Sequence, residues 1–253
     1  MTDRLKGKTA LVSGASSGLG RSAALAMARE GATLIVGARR EDRLNDLVSE
    51  IEASGGTAHA IGMDVTDREN VAEAFARIED LTDRLDILVN SAGIGKVVPF
   101  LESGRDDFDE HFNVNVKGVW RVSRDFARLA VARDHGGAII NVASMLALGV
   151  LPGQTLYCAT KAAVLHMTRA IAIELQPRGI RANCVCPGYF TSEMTTEFEE
   201  SERGQRYIRR TPAGRFGTPH ELDGAIVYLA SDEAAFTTGT HISVDGGHSA
   251  RLI

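Results

Sequence analysis

The chain has 253 residues, 44% of them apolar, with 28 basic and 33 acidic side chains and a formal net charge of -5. That mild acidity argues against a general nucleic-acid or anionic-membrane surface, and no apolar run is long enough to span a bilayer. The opening "MTDRLKGKTALVSG" carries charges but no apolar signal core, so the expected location is cytoplasmic.

In chain order, "TALVS" reads as a first strand, followed by a Gly/Ser turn and the helical "RSAALAMAREG". "TLIVGA" is a second strand, and "EDRLNDLVSEIEAS" a helix whose apolar residues recur at three and four. "HAIGMD", "NVAEAFARIEDL" and "DILVN" continue the alternation, and a long helical stretch runs through "FNVNVKGVWRVSRDFARLAVA". Next come the strand "GAIINVAS", the helix "YCATKAAVLHMTRAIAIEL" and the strand "IRANCVCPG". After a polar stretch, "PHELDGAIVYLAS" and "GTHISVDGG" close the pattern. Apolar β-runs alternating with helical periods predict an α/β fold in one domain over residues 1–253. Its core is a doubly wound, Rossmann-type parallel sheet with helices on both faces.

The segment from about Tyr189 to Pro219 is long and irregular for such a fold, as binding loops often are. Its charges, "EFEESERGQRYIRR", suit a solvated helix, and Phe190, Met194 and Phe198 are its candidates to face a ligand. The three cysteines, Cys158, Cys184 and Cys186, make no disulfide framework. Cys184 and Cys186 alternate on one strand face and read as small buried hydrophobes. None of the seven histidines pairs at ligand spacing, so no metal site is expected.

Three stretches carry chemistry. "VSGASSGLGRS" follows the first strand and opens the first helix, with Gly14, Gly18 and Gly20 at spacings of four and two. Glycine permits a tight turn and close approach of backbone to a pyrophosphate, which the helix N-terminus then favours. The spacing is neither G-x-G-x-x-G nor a P-loop. At the exit of the second strand stand Arg39 and Arg40, ahead of the first acid, Glu41. An acid there would hold a ribose 2′-OH, whereas an Arg takes a 2′-phosphate. This favours NADP(H), with NAD(H) possible; the alternative is that both arginines lie in solvent or cap the next helix. In "YCATK", Tyr157 and Lys161 share a helix face. Such a spacing is common by chance, yet an ammonium near a phenol stabilises the phenolate and brings its pKa toward working pH.

The ordered set "SGASSGLG", "MDVTD", "NSAG", "NVNVKG", "NVAS", "YCATK", "PGYFTS" and "VDGG" resembles the short-chain dehydrogenase/reductase family of NAD(P)-dependent oxidoreductases along nearly the whole chain. The resemblance implies Tyr157 as general acid/base, Lys161 as its partner and a ribose contact, and Ser144 as the group that binds the substrate oxygen. It implies Asn115 as the fourth member, holding a water in a relay through Lys161. Asn113 competes, but the family pattern continues Asn-Val-x-Gly, matching "NVKG". The cofactor set it implies begins with the turn residues Gly14, Ser16, Ser17, Gly18, Leu19 and Gly20. Asp64 and Val65 would meet the adenine, and Asn90, Ala92 and Gly93 would line the cofactor. Pro187 and Gly188 would hold the nicotinamide amide, with Phe190 and Thr191 nearby.

Leu146, Gln154, Tyr189 and Met194 join Ser144 and Tyr157 as the expected substrate contacts. They describe a partly apolar pocket with one amide for a small carbonyl or alcohol substrate. Two departures stand out. The family's usual "NNAG" is "NSAG" here, and Ser17 occupies a position where some NADP-preferring members carry a basic residue. The NADP expectation therefore rests on the strand exit. The family also implies a homo-oligomer, commonly a tetramer, with "SVDGGHSARLI" near a subunit contact. A non-enzymatic dinucleotide-binding protein on the same fold would be expected to lose part of the proton machinery. A methyltransferase on a similar sheet would not carry "YCATK" with "NVAS".

Overall fold

The computed structural model describes residues 3–193 and 195–250. Met194, one of the expected substrate contacts, lies outside the described residues. Seven strands form one parallel sheet: β1 Thr9–Ser13, β2 Thr33–Ala38, β3 Thr57–Gly62, β4 Ile87–Asn90, β5 Gly137–Val142, β6 Ile180–Pro187 and β7 His241–Val244. Their spatial order is β3-β2-β1-β4-β5-β6-β7. The strands are apolar nearly throughout because both sheet faces are covered. Ala10 and Val12 of β1 pack with Ala23 and Met27 of α1 (Gly18–Arg29), Leu44 and Leu47 of α2 (Glu41–Ala53) and Ile226 and Leu229 of α9 (Asp223–Ala230). Leu11, between them, packs on the opposite face with Phe75 and Ile78 of α3 (Arg68–Leu81) and Val122 and Phe126 of α5 (Val119–Ala132).

Chain order reverses between β1 and β4, which pair in register from Ala10 with Ile87 to Ser13 with Asn90. A crevice at the carboxyl ends of these strands is the binding position such sheets provide. The 21-residue helix α6 (Thr155–Leu175) runs beside it and carries Tyr157 and Lys161 in its first two turns.

The structure departs from the sequence reading in two places. The long helical stretch begins earlier, with α4 (Arg105–Phe112), and passes through a π-helical turn at Asn113–Gly118 before α5. Such turns interrupt helices where a side chain is re-aimed. The segment 189–219 is also more ordered than expected, since its charged run forms α7 (Thr196–Glu200) and α8 (Glu202–Arg210). Tyr207 is buried while Arg206, Arg209 and Arg210 are exposed, which gives the solvated helix face. Among the described residues, no helix is long and apolar enough to cross a membrane.

Candidate active site

A cleft of about 620 Å³ opens at the carboxyl ends of β1, β4, β5 and β6. Its floor at one end is the turn between β1 and α1, where Gly14 has φ +73° and a Cβ would stand 2.5 Å from the Ala92 nitrogen. No other residue fits that contact. Gly14, Ser16, Ser17, Gly18 and Leu19 line the cleft. The first turn of α1 contains no acid, so its N-terminal N–H groups face the cleft with their positive potential unopposed.

Arg39 and Arg40 line the same end, and both sit where β2 meets α2. Arg40 bends over the glycine turn, and its Nη2 donates to Ser16 Oγ at 2.9 Å and to Ser17 Oγ at 2.8 Å. A guanidinium thus stands beside Ser17, supplied from the strand exit. Arg39 has no side-chain partner among the described residues. Asp64 and Val65 line the neighbouring wall, and Asp64 folds into a local turn by accepting from Thr66 N at 2.9 Å and Thr66 Oγ1 at 2.8 Å. Ala92, Gly93, Pro187, Gly188 and Phe190 complete this half.

Three expected cofactor contacts fall outside the lining, each for a visible reason. Gly20 is buried beneath the turn, where a Cβ would lie 2.4 Å from the Gly14 carbonyl oxygen, so it lets α1 pack against the turn. Asn90 is buried in a polar network, donating to Ser123 Oγ at 2.9 Å and Asn141 Oδ1 at 2.8 Å. Thr191 donates its backbone N–H to the Gly217 carbonyl at 2.8 Å, fixing the start of the 189–219 segment.

At the other end, Ser144, Leu146, Gln154, Tyr157, Lys161 and Tyr189 come together around one space. Ser144 follows β5 and its Oγ accepts from Leu146 N at 3.1 Å. Tyr157 is half-buried; burial pushes its phenol up to about 12, against a hydrogen bond from Ser144 that pulls it down. Lys161 is buried and its ammonium is pushed down to about 8 by the same desolvation. The spacing read from "YCATK" does not bring ammonium and phenol oxygen into contact. Lys161 Nζ donates to the Val142 carbonyl at 2.9 Å and stands 5.6 Å from the centroid of the Tyr157 ring.

Asn115 sits in the π-helical turn, fully buried and behind the cleft wall. Its Oδ1 accepts from Ile94 N at 2.9 Å, and its Nδ2 donates to the Ile94 carbonyl at 3.0 Å and to Thr160 Oγ1 at 3.1 Å. A Cβ on Gly93 would lie 3.3 Å from Asn115 Oδ1 and 3.5 Å from Lys161 Nζ. The glycine therefore leaves open a spot within hydrogen-bonding range of both. Asn113 instead accepts from Arg121 Nη1 at 3.3 Å, away from this group.

Gln154 Oε1 is shielded and has no hydrogen-bond partner among the described residues. Tyr189 stacks on Phe198 with centroids 4.6 Å apart, forming an aromatic wall. Cys184 and Cys186 are buried, and desolvation pushes their thiols up to about 11 and about 12, so they behave as packing groups. Sequence reasoning missed Val97, Glu110 and Glu193, which also line the cleft. No periodicity or motif marks them, because two loops and helix α4, far apart in the chain, bring them in. Among the described residues, no cluster of His, Cys, Asp and Glu could hold a metal ion.

A doubly wound sheet with a glycine turn at its switch point and a Ser/Tyr/Lys group at the far end of one cleft defines a dinucleotide-dependent class of protein. The family model described as Enoyl-(Acyl carrier protein) reductase matches residues 14–249. The 3-oxoacyl-[acyl-carrier-protein] reductase FabG of Thermotoga maritima is 39% identical over 244 residues, covering 96% of this chain and 98% of that protein. A putative gluconate dehydrogenase from Agrobacterium tumefaciens superposes with a TM-score of 0.96 at 33% identity, over 100% of both chains. A gluconate 5-dehydrogenase from Burkholderia cenocepacia, solved with NADP and tartrate, has a TM-score of 0.94 at 34% identity, over 99% of this chain and 98% of that one. The chain belongs to the short-chain dehydrogenase/reductase family of oxidoreductases.

Proposed function

We propose that this chain is an NADP(H)-preferring oxidoreductase that interconverts a carbonyl compound and the corresponding secondary alcohol, with Tyr157 as general acid/base. The observation that carries this reading is a single continuous cleft. It runs from the glycine turn and Arg39/Arg40 at one end to Ser144, Tyr157 and Lys161 at the other. The relative solved with NADP supports the choice of cofactor. So do two arginines, with no acid ahead of them, at the exit of β2. A sheet continuous from Thr9 to Val244 supports one catalytic domain, with the 189–219 segment as its substrate side.

The residues present fit a dinucleotide. The turn admits backbone at Gly14 where a side chain would clash, and the α1 N-terminus offers N–H groups to a pyrophosphate. When bound, the nicotinamide supplies or accepts the hydride. The chain's own task is the proton. In reduction, the Ser144 hydroxyl holds the substrate oxygen and Tyr157 donates its phenol proton to it. A phenol held up near 12 is fully protonated at neutral pH and therefore ready to donate. The buried Lys161 ammonium stabilises the phenolate left behind. The open spot beside Gly93, within reach of Asn115 Oδ1 and Lys161 Nζ, is where a relay water would return the proton. Asn115 also fixes Ile94 and Thr160, and so holds the wall in which Lys161 is set.

The test is Tyr157→Phe, which keeps the ring and removes the proton. Turnover, followed at 340 nm with NADPH and a panel of carbonyl compounds, should fall by about 10²–10⁴-fold. NADPH affinity, from fluorescence titration, should stay within about twofold. A variant retaining more than half the wild-type kcat would refute the assignment.

A further inference from the structure

The arginine end of the cleft holds a contact that neither the glycine turn nor the strand exit explains. Glu193, on the segment after β6, reaches across to α2, and its two carboxylate oxygens each accept from Arg43 Nη1 at 2.8 Å. Its Oε2 also stands 3.9 Å from Arg40 Nη1. These partners are 150 residues apart in sequence. They enclose a recess of about 280 Å³ opening beside the main cleft, lined by Ser16, Ser17, Gly18, Arg21, Arg43, Asp46 and Glu193. Of the two arginines that line the recess, Arg21 is paired with Glu50 and Arg43 with Glu193, while Arg40 approaches Glu193 from the adjoining main cleft. Arg40 is at the same time held on Ser16 and Ser17. A carboxylate from the substrate segment thus sits on the cations and beside the hydroxyls that would meet a phosphate on the adenosine ribose.

We propose that Glu193 is a specificity-determining residue. Its carboxylate competes with the 2′-phosphate of the cofactor for Arg43 and Arg40, and so sets the margin by which NADP(H) is preferred over NAD(H). The proposal rests on the dinucleotide reading of the cleft and adds Arg43 as a third phosphate-facing cation. A planar carboxylate and a phosphate present comparable oxygens to a guanidinium fork, so one displaces the other on the same donors. NAD(H), lacking the phosphate, leaves the Glu193–Arg43 pair intact. An exposed ion pair has a formation constant of about one to five, so freeing its cations tightens phosphate binding by about two- to sixfold.

The experiment uses adenosine 2′,5′-bisphosphate and ADP as probes, titrated calorimetrically into the full-length protein at low salt. Wild type should bind both, the bisphosphate more tightly. Glu193→Gln and Glu193→Ala should each tighten the bisphosphate by about two- to sixfold and leave ADP unchanged within about 1.5-fold. That gain should shrink at about 0.5 M salt as the charges are screened. Arg43→Ala should weaken the bisphosphate by about tenfold and spare ADP. If both Glu193 variants leave the bisphosphate/ADP ratio unmoved, or weaken both ligands together, the competition is refuted and the pair is a surface contact or a clasp. If wild type binds neither probe, the dinucleotide reading itself fails, and the proposal with it.

Discussion

Lys161→Met tests how a buried ammonium serves a half-buried phenol without touching it. In the proposed reduction Tyr157 would end as a phenolate, and Lys161 Nζ stands 5.6 Å from the ring centroid. Taking that ring distance as the scale of the charge separation, an effective dielectric of about 20 gives about 3 kcal/mol of attraction, or about a hundredfold in rate if the charge is fully developed in the transition state. Burial holds Lys161 at about 8, so its charge is present below that pH and lost above it. The sign follows directly: kcat/KM for carbonyl reduction should be flat at lower pH. It should fall by about tenfold per pH unit above about 8, toward a floor about a hundredfold lower. Lys161→Met has no charge to lose, so its profile should lie near that floor from pH 6 to pH 10 without the descending limb. The assay is NADPH oxidation at 340 nm with the cofactor saturating, because Lys161 is also proposed to reach the nicotinamide ribose. If the variant keeps the wild-type limb, another group titrates there. If it loses only a constant factor of two or three, the lysine acts by position rather than charge.

Two further outcomes are expected. Arg39→Asp places a carboxylate where Arg39 lines the adenine end without a side-chain partner, so kcat/KM with NADP(H) should drop by at least about tenfold while that with NAD(H) is kept or raised; a wild type that already prefers NAD(H), or an unmoved ratio in the variant, would show Arg39 to be a surface residue. Asn115→Ala strands the N–H and carbonyl of Ile94, which is half-buried. At about 1–3 kcal/mol per stranded group, discounted for partial exposure, the loss is about 2–4 kcal/mol, or about 4–16 °C in Tm for a chain of this size; a melt within about 1 °C of wild type would remove the clamp from the account.

Fold class was legible because the central strands of the sheet, β1, β2, β4, β5 and β6, are buried nearly throughout. Two-sided burial writes itself as short apolar runs, and the helices between them show their own period. The ordered motifs likewise led to Ser144, Tyr157 and Lys161, which the fold brings to one wall. What the sequence hid was contact across elements. "NVNVKG" looks like ordinary helix, and nothing in it announces that a π-helical turn buries Asn115 against Ile94. Asn90 stands in a motif and was expected at the cofactor, but the packing of Ser123 and Asn141 around it draws its amide into the interior. Glu193 is one acid in a polar stretch, and only the tertiary fold sets it against Arg43. Spacing along one helix was misleading in a smaller way. It put Tyr157 and Lys161 on one face, but the nearby carbonyl of Val142 captures the ammonium.

The electrostatics of the cleft divide it into two parts with different demands on a ligand. At one end stand two exposed arginines, Arg39 without a side-chain partner among the described residues and Arg40 held on Ser16 and Ser17. The reacting end is desolvated, and there burial opposes charge on both partners: the phenol is pushed up to about 12 and the ammonium down to about 8. With the site in this state, the first proton to leave on raising pH comes from Lys161, and the phenol stays neutral. Without a ligand, the phenol is therefore held in its protonated form, as reduction requires, and is not available as a base. For the oxidative direction the order must invert, with Tyr157 losing its proton while Lys161 keeps its own. Taking the 5.6 Å from Lys161 Nζ to the ring centroid as the scale, each charge favours the other by about 3 kcal/mol, and a cationic ring bound beside the phenol would favour the phenolate further. Under the proposed function, direction of reaction at a given pH follows which form of the cofactor fills the cleft, and the proposed competition by Glu193 at the arginine end sets how readily it fills.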